Sequence, residues 1–128
     1  MARRRISTGS RFEEMAGYCR AIVADDWVFV SGTAGFDFTS GTISDDPAEQ
    51  TAQSLKTIGE TLAQAGATLA DIVRLRVYVS DRAHIEPVSR VLARSFGADR
   101  PTNTTIVCQF AVPEMKVELE ATALIQRG

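Results

Sequence analysis

The chain has one histidine and two cysteines, and none of them is spaced for a metal or redox centre. With His84 alone, a histidine-rich zinc site is out of reach. A Ser-His-Asp triad would have to use the same His84, and no nucleophile-elbow pattern accompanies it. Cys19 and Cys108 form no C-x-x-C pair and read as free thiols in a reducing compartment. Gly32 and Gly35 follow a strand-like run but belong to neither a GxGxxG nor a GKS/GKT phosphate loop. No histidine-rich zinc site and no phosphate-loop cofactor site is therefore expected.

Long apolar runs are also missing. Nothing approaches the roughly 20 residues needed to cross a bilayer, so no membrane partner is expected. Arg3-Arg4-Arg5 leads through Ile6 into Ser7-Thr8-Gly9-Ser10, not into the apolar core of a signal peptide, and a cytoplasmic location is expected. The formal charge of −2 shows no basic excess, so composition gives no reason to expect a nucleic-acid partner. The three arginines read as a frayed, solvated terminus. No sequence repeat, linker or low-complexity segment interrupts the chain.

What remains suits one domain spanning residues 1–128. Apolar residues make up 45% of the chain, enough to exclude global disorder and to build a core. Arg20 to Ala24 and Trp27 to Ser31 flank Asp25-Asp26 as a β-hairpin. Residues Phe36 to Thr42 read as a polar loop. A helix starts at Pro47, with Asp46 as its cap and Glu49 placed for a capping box. Its apolar stripe is Ala48, Ala52, Leu55, Ile58 and Leu62, and Gly66 ends it.

Ile72 to Ser80 is the clearest strand, with Val73, Leu75, Val77 and Val79 on one face and Arg74, Arg76 and Tyr78 on the other. A second helix, Ile85 to Phe96, presents Ile85, Val88, Leu92 and Phe96 inward. Asn103 to Val112 and Lys116 to Gln126 read as strands joined by a turn at Pro113-Glu114. The order ββ-α-β-α-ββ predicts an α+β fold, a mainly antiparallel sheet with both helices on one face.

The opposite face is not simply polar. Trp27 and Phe29 share one side of the hairpin, while Ile72, Tyr78 and Val107 are assigned to the sheet face away from the helices, among Arg74, Arg76, Glu118 and Glu120. An apolar face carrying opposite charges suits a homo-oligomer interface.

The stretch Pro101 to Ala123, PTNTTIVCQFAVPEMKVELEATA, resembles the C-terminal motif of the RidA/YjgF family, also called endoribonuclease L-PSP or translation-inhibitor proteins. Gly17-Tyr18, Val30-Ser31-Gly32 and AGATLADIVRLRVYVSD from Ala65 to Asp81 agree with the same family. The resemblance runs from about Arg11 to Ile125 and implies a chorismate-mutase-like fold. It also implies a homotrimer with ligand pockets between subunits, and cofactor-free hydrolysis of reactive enamines and imines such as 2-iminopropanoate and 2-iminobutanoate. By the same resemblance Glu120 is the catalytic, water-activating carboxylate. Tyr18, Ser31 and Gly32 line the substrate pocket.

Asn103 stands where the family carries a carboxylate-binding arginine, Thr105 where well-known members carry cysteine, and Ser89 where they carry asparagine. A guanidinium grips a carboxylate through paired charged hydrogen bonds, and losing one costs about 1.5–3 kcal/mol. Either the substrate lacks an α-carboxylate, or Arg76 replaces the lost charge. Asn103, Arg76 and Glu120 are expected on one sheet face, where Arg76 pairing structurally with a glutamate is the other account of that arginine. The functions in view are a RidA-like deaminase acting on a small molecule, a non-catalytic ligand-binding trimer, and a ribonuclease or translation inhibitor.

Overall fold

A computed structural model of the chain describes residues 2–127. The main sheet has six strands: β1 (Arg3–Ile6), β2 (Ala21–Ala24), β3 (Trp27–Ala34), β6 (Ile72–Val79), β7 (Thr102–Val107) and β8 (Val117–Leu124). Their order is β1-β2-β3-β8-β6-β7, and every pairing is antiparallel except β6 with β7. Helices α2 (Pro47–Gln64) and α3 (Ile85–Phe96) pack together over one face, giving the expected α+β architecture.

Local chemistry explains the elements. The β2–β3 turn is tight because Asp25 accepts φ 53. Asp46 caps α2 by accepting from the Ala48 N–H at 2.8 Å, and Pro47 opens the helix. The capping box does not form: Glu49 accepts from the Ser44 hydroxyl instead, and Ser44 Oγ accepts from the Asp46 N–H. The buried side of α2 is carried by Gln50, Thr51, Ser54, Leu55, Ile58 and Leu62, whereas Ala52 is exposed. In α3, Val91 takes the buried place assigned to Ile85, which is exposed. Leu75, Val77, Val79, Leu119 and Ala121 meet these helices, and each fully buried Val, Leu or Ile contributes about 1.5–3 kcal/mol.

Several expectations need correction. Arg3 to Ile6 is not frayed; it is edge strand β1, paired residue for residue with β2. A short helix α1 (Arg11–Ala16), capped by Ser10, precedes Tyr18. The Phe36–Thr42 loop contains part of a small ribbon, β4 (Phe36–Asp37) with β5 (Thr42–Ile43). A bulge between Ile72 and Arg74 turns Ile72 into the core and leaves Val73 exposed, the reverse of simple alternation.

The largest change concerns β7. It ends at Val107 and is not joined to β8 as a hairpin, because β6 lies between them. The β6–α3–β7 segment is a helix crossover, which makes β7 parallel to β6. Asn103 pairs with Leu75, Thr105 with Val77 and Val107 with Val79, so all three share the helix-side face. The opposite face bears Thr102, Thr104 and Ile106 beside Arg74, Arg76 and Tyr78.

Candidate functional site

Tyr18, Ser31 and Glu120 line one concavity of about 690 Å³ on the open side of the sheet. Tyr18 arrives there because α1 ends at Gly17, whose φ of 72 suits glycine and reverses the chain towards β2. Ser31 is fixed by two bonds: its N–H donates to the Arg20 carbonyl at 2.9 Å, and its hydroxyl donates to the Cys19 carbonyl at 2.8 Å. The register of β3 against β8 slips between Val30 and Thr33, and this irregularity sets Ser31 and Gly32 beside Glu120.

Glu120 is held from β6. The Tyr78 hydroxyl donates to Glu120 Oε1 at 2.9 Å, and Arg76 Nη1 stands 3.6 Å from the same oxygen. The second oxygen, Oε2, has no hydrogen bond among the described residues. Arg76 is thus paired with a glutamate on its own sheet face. The pair is half-buried and still open to solvent, so it orients more than it stabilises, at about 0–1 kcal/mol.

Gly32 faces a neighbouring cavity of about 260 Å³ that shares Tyr18 as a wall. A Cβ at Gly32 would lie 3.0 Å from the carboxyl carbon of Glu118, so glycine lets that carboxyl group approach the backbone. Burial pushes the Glu118 carboxyl above the usual carboxylate range; Arg20 opposes this, and Glu120 adds to it.

Sequence reasoning missed the charged cluster behind this wall. Arg20 is 2% exposed and donates to the Thr33 hydroxyl at 3.3 Å, while its Nε stands 3.9 Å from Glu13 Oε2 without a hydrogen bond. Its guanidinium also lies 5.6 Å from the Tyr18 ring centre and 5.9 Å from that of Phe38, a cation–π arrangement. Burial raises the Glu13 pKa, but hydrogen bonds from Thr8 and Ser7 and the charge of Arg20 outweigh it, leaving the carboxylate below its usual range. Arg20 had been read only as the first residue of a strand. A buried arginine has no periodicity signal of its own.

Ser89, Asn103 and Thr105 are not part of this concavity. Ser89 and Asn103 border a separate hollow of about 250 Å³ between α3 and β7, with Leu75, Leu92 and Phe96. The Thr105 hydroxyl donates to Asn103 Oδ1 at 2.9 Å. The expectation that Asn103 shares the face of Arg76 and Glu120 is thus wrong within one subunit, because the parallel β6–β7 register turns it to the other side. All residues of β7 are exposed along this sheet edge.

His84 lies at the start of α3, outside the concavity, with its Nδ1 3.4 Å from the Ser80 hydroxyl. No group of three or more His, Cys, Asp and Glu residues is arranged to hold a metal among the described residues. No helix among them is long and apolar enough to cross a membrane.

Comparison with known proteins agrees with this fold. The family model for endoribonuclease L-PSP matches residues 8–125. The fold is similar to that of Rv2704 from Mycobacterium tuberculosis, a member of the YjgF/YER057c/UK114 family. That match has 40% identity and a TM-score of 0.89, covering 97% of this chain and 100% of that one. A Rid-family protein of unknown function, YyfA from Yersinia pestis, matches at 25% identity and TM-score 0.87, covering 97% and 100% of the two chains. The YjgF-family protein NMB1025 from Neisseria meningitidis matches at 25% identity and TM-score 0.83, covering 100% and 98%. Sequence, fold and family model converge: this chain belongs to the YjgF/RidA/endoribonuclease L-PSP family.

Proposed function

We propose that this protein is a cofactor-independent hydrolase that deaminates a reactive enamine or imine, with Glu120 activating water. The observation that carries this reading is the state of Glu120. Tyr78 and Arg76 both engage Oε1, and Oε2 is left for a water molecule in a concavity shared with Tyr18 and Ser31. The imine carbon is already electrophilic, so positioning and one base are sufficient chemistry. Glu120 takes a proton from water as its oxygen adds to the carbon. Protonated Glu120 gives that proton to the nitrogen, forming the carbinolamine; Glu120 then relays the hydroxyl proton to the amine, ammonia leaves, and the carbonyl product and the carboxylate remain.

The working unit in this proposal is a homotrimer. Trp27 and Phe29 stack at 6.2 Å on the open face and are 41% and 45% exposed, and Ile106 on β7 is 46% exposed. These apolar groups favour burial against a second copy. Such an assembly is also the way the Asn103 edge of one subunit reaches the Glu120 concavity of the next. Gly32, Ser89, Thr105 and Asn103 are then substrate-binding residues contributed by two subunits.

The test is release of ammonia and keto acid from freshly generated 2-iminopropanoate and 2-iminobutanoate, comparing wild type with Glu120→Gln. Turnover that is equal in both proteins would sink the proposal. The second reading, a non-catalytic ligand-binding trimer, is favoured by Asn103, which lacks the charge that grips an α-carboxylate; it predicts saturable binding without product. A ribonuclease role is the weakest fit. Glu13, Glu14 and Glu120 all line the concavity, where they oppose a phosphate backbone, and His84 lies outside it.

A further inference from the structure

The candidate site lacks the family arginine at position 103, yet a different arginine lines its concavity. Arg5, on edge strand β1, borders the same hollow as Tyr18, Ser31 and Glu120. Strand register shows why. Arg5 pairs with Ile22, Ile22 with Phe29, and Phe29 with Thr122, so the four form one row across β1, β2, β3 and β8. Paired residues share a face, and Thr122 shares its face with Glu120 two residues earlier. The neighbouring Arg4 points the other way, and its guanidinium donates to the Gln64 carbonyl at 2.9 Å on the helix side.

Arg5 is also uncommitted. It has no side-chain hydrogen bond and no ion pair among the described residues. Nearby cations differ: Arg76 faces Glu120 at 3.6 Å, Arg74 donates to the Thr122 hydroxyl at 3.2 Å, and Arg20 is buried against Glu13. Of the acidic residues lining the hollow, Glu13 is bound by Ser7, Thr8 and Arg20, and Glu14 is exposed and forms no ion pair with Arg5 among the described residues.

We propose that Arg5 binds a carboxylate of the substrate that lies away from the reacting carbon. This rests on the hydrolase reading above and names its substrate class. Strands β1 and β8 are three steps apart, or about 14 Å between chains at the usual spacing of paired strands. Arg5 therefore reaches in from the far rim, opposite Glu120. A carboxylate directly attached to the imine carbon sits too close to Glu120 to be the natural partner of this guanidinium. A carboxylate at the other end of a short chain would reach it, with its methylenes over Ile22 between the two charged ends. The preferred substrates are then imines of dicarboxylic keto acids or other imines with a remote carboxylate.

The experiment compares 2-iminoglutarate with 2-iminobutanoate, each generated in place by an amino-acid oxidase, on wild type, Arg5→Gln, Arg5→Lys and Glu120→Gln. Wild type is expected to favour 2-iminoglutarate in kcat/KM. Arg5→Gln lowers that selectivity roughly tenfold, mostly through KM, and Arg5→Lys restores part of it. A wild type without the preference, or an Arg5→Gln protein that keeps it, overturns the assignment. Calorimetry with glutarate and butyrate separates the two hypotheses if no imine is turned over. Glutarate binding that is tighter than butyrate in wild type and levelled in Arg5→Gln supports Arg5 even as the hydrolase reading fails. Equal affinities, or no binding of either, refute it.

Discussion

The Tyr78 hydroxyl donates to Glu120 Oε1 at 2.9 Å, across the adjoining strands β6 and β8. Tyr78 carries no assigned chemistry; it holds the Glu120 carboxyl group through Oε1, beside the concavity that Glu120 lines. Its own phenol pKa is raised, first by that hydrogen bond to Glu120 and then by burial, so it stays a donor at neutral pH. This hydrogen bond to a carboxylate is partly screened by solvent, so it contributes about 1 kcal/mol, close to a fivefold rate effect. Tyr78→Phe is therefore expected to lower kcat several-fold with little change in KM, as measured by steady-state ammonia release. A KM-only effect would place Tyr78 in binding instead of positioning.

Asn103→Arg adds the guanidinium that β7 lacks. If β7 of one subunit borders the concavity of the next, the variant gains at least about tenfold in kcat/KM for 2-iminopropanoate. The same substitution at a surface unrelated to the site leaves the rate unchanged. Measuring both kinetics and molecular mass in solution ties the gain to an oligomer.

Glu118 sets a pH dependence of stability. Its folded-state pKa is raised, chiefly by burial, so the folded chain holds the Glu118 proton more tightly than the unfolded chain does. This contribution is complete below the unfolded value and is lost as pH rises through the raised folded one. Glu118→Gln, which has no charge to desolvate, should melt at a higher temperature than wild type near neutral pH. The difference should shrink towards about pH 3, below the unfolded value, where the wild-type carboxyl is protonated in both states. Thermal melts across that range test the sign directly.

Two glycines offer a contrast in packing. A Cβ at Gly35 would lie 2.5 Å from the Gln50 carbonyl oxygen and 2.6 Å from its Cα, so helix α2 would have to move. Gly35→Ala is expected to cost about 2–3 kcal/mol in chemical denaturation. At Gly32 the obstacle is the end of the Glu118 side chain at 3.0 Å, which can swing aside. Gly32→Ala should cost less stability while altering ligand affinity, because Glu118 is displaced towards the cavity.

The strands with unequal faces were legible before any coordinates. In β8, Val117, Leu119, Ala121 and Ala123 alternate with Glu118, Glu120 and Thr122, so the core side and the position of Glu120 follow from a period of two. The buried Leu55, Ile58 and Leu62 of α2 were equally clear from helical spacing. In β7, Asn103 and Thr105 alternate with Thr102 and Thr104, and polar residues on both sides give no clue to direction. At Ile72-Val73 both residues are apolar, so alternation cannot reveal the bulge that exchanges them.

The sequence by itself determined the α+β class, the helix stripes, the family resemblance and the identity of Tyr18, Ser31, Gly32 and Glu120 as site candidates. The class and the stripes depend on local periodicity, and the four site candidates on the motifs that carry the family resemblance. Tertiary structure alone decided that Arg5 enters the concavity, that Arg20 is buried behind Tyr18, and that Asn103 turns away from Glu120 within a subunit. Each of these depends on which distant strand pairs with which, in what direction and in what register. A shift of one residue in pairing carries a side chain to the opposite face, and local sequence contains no term for it.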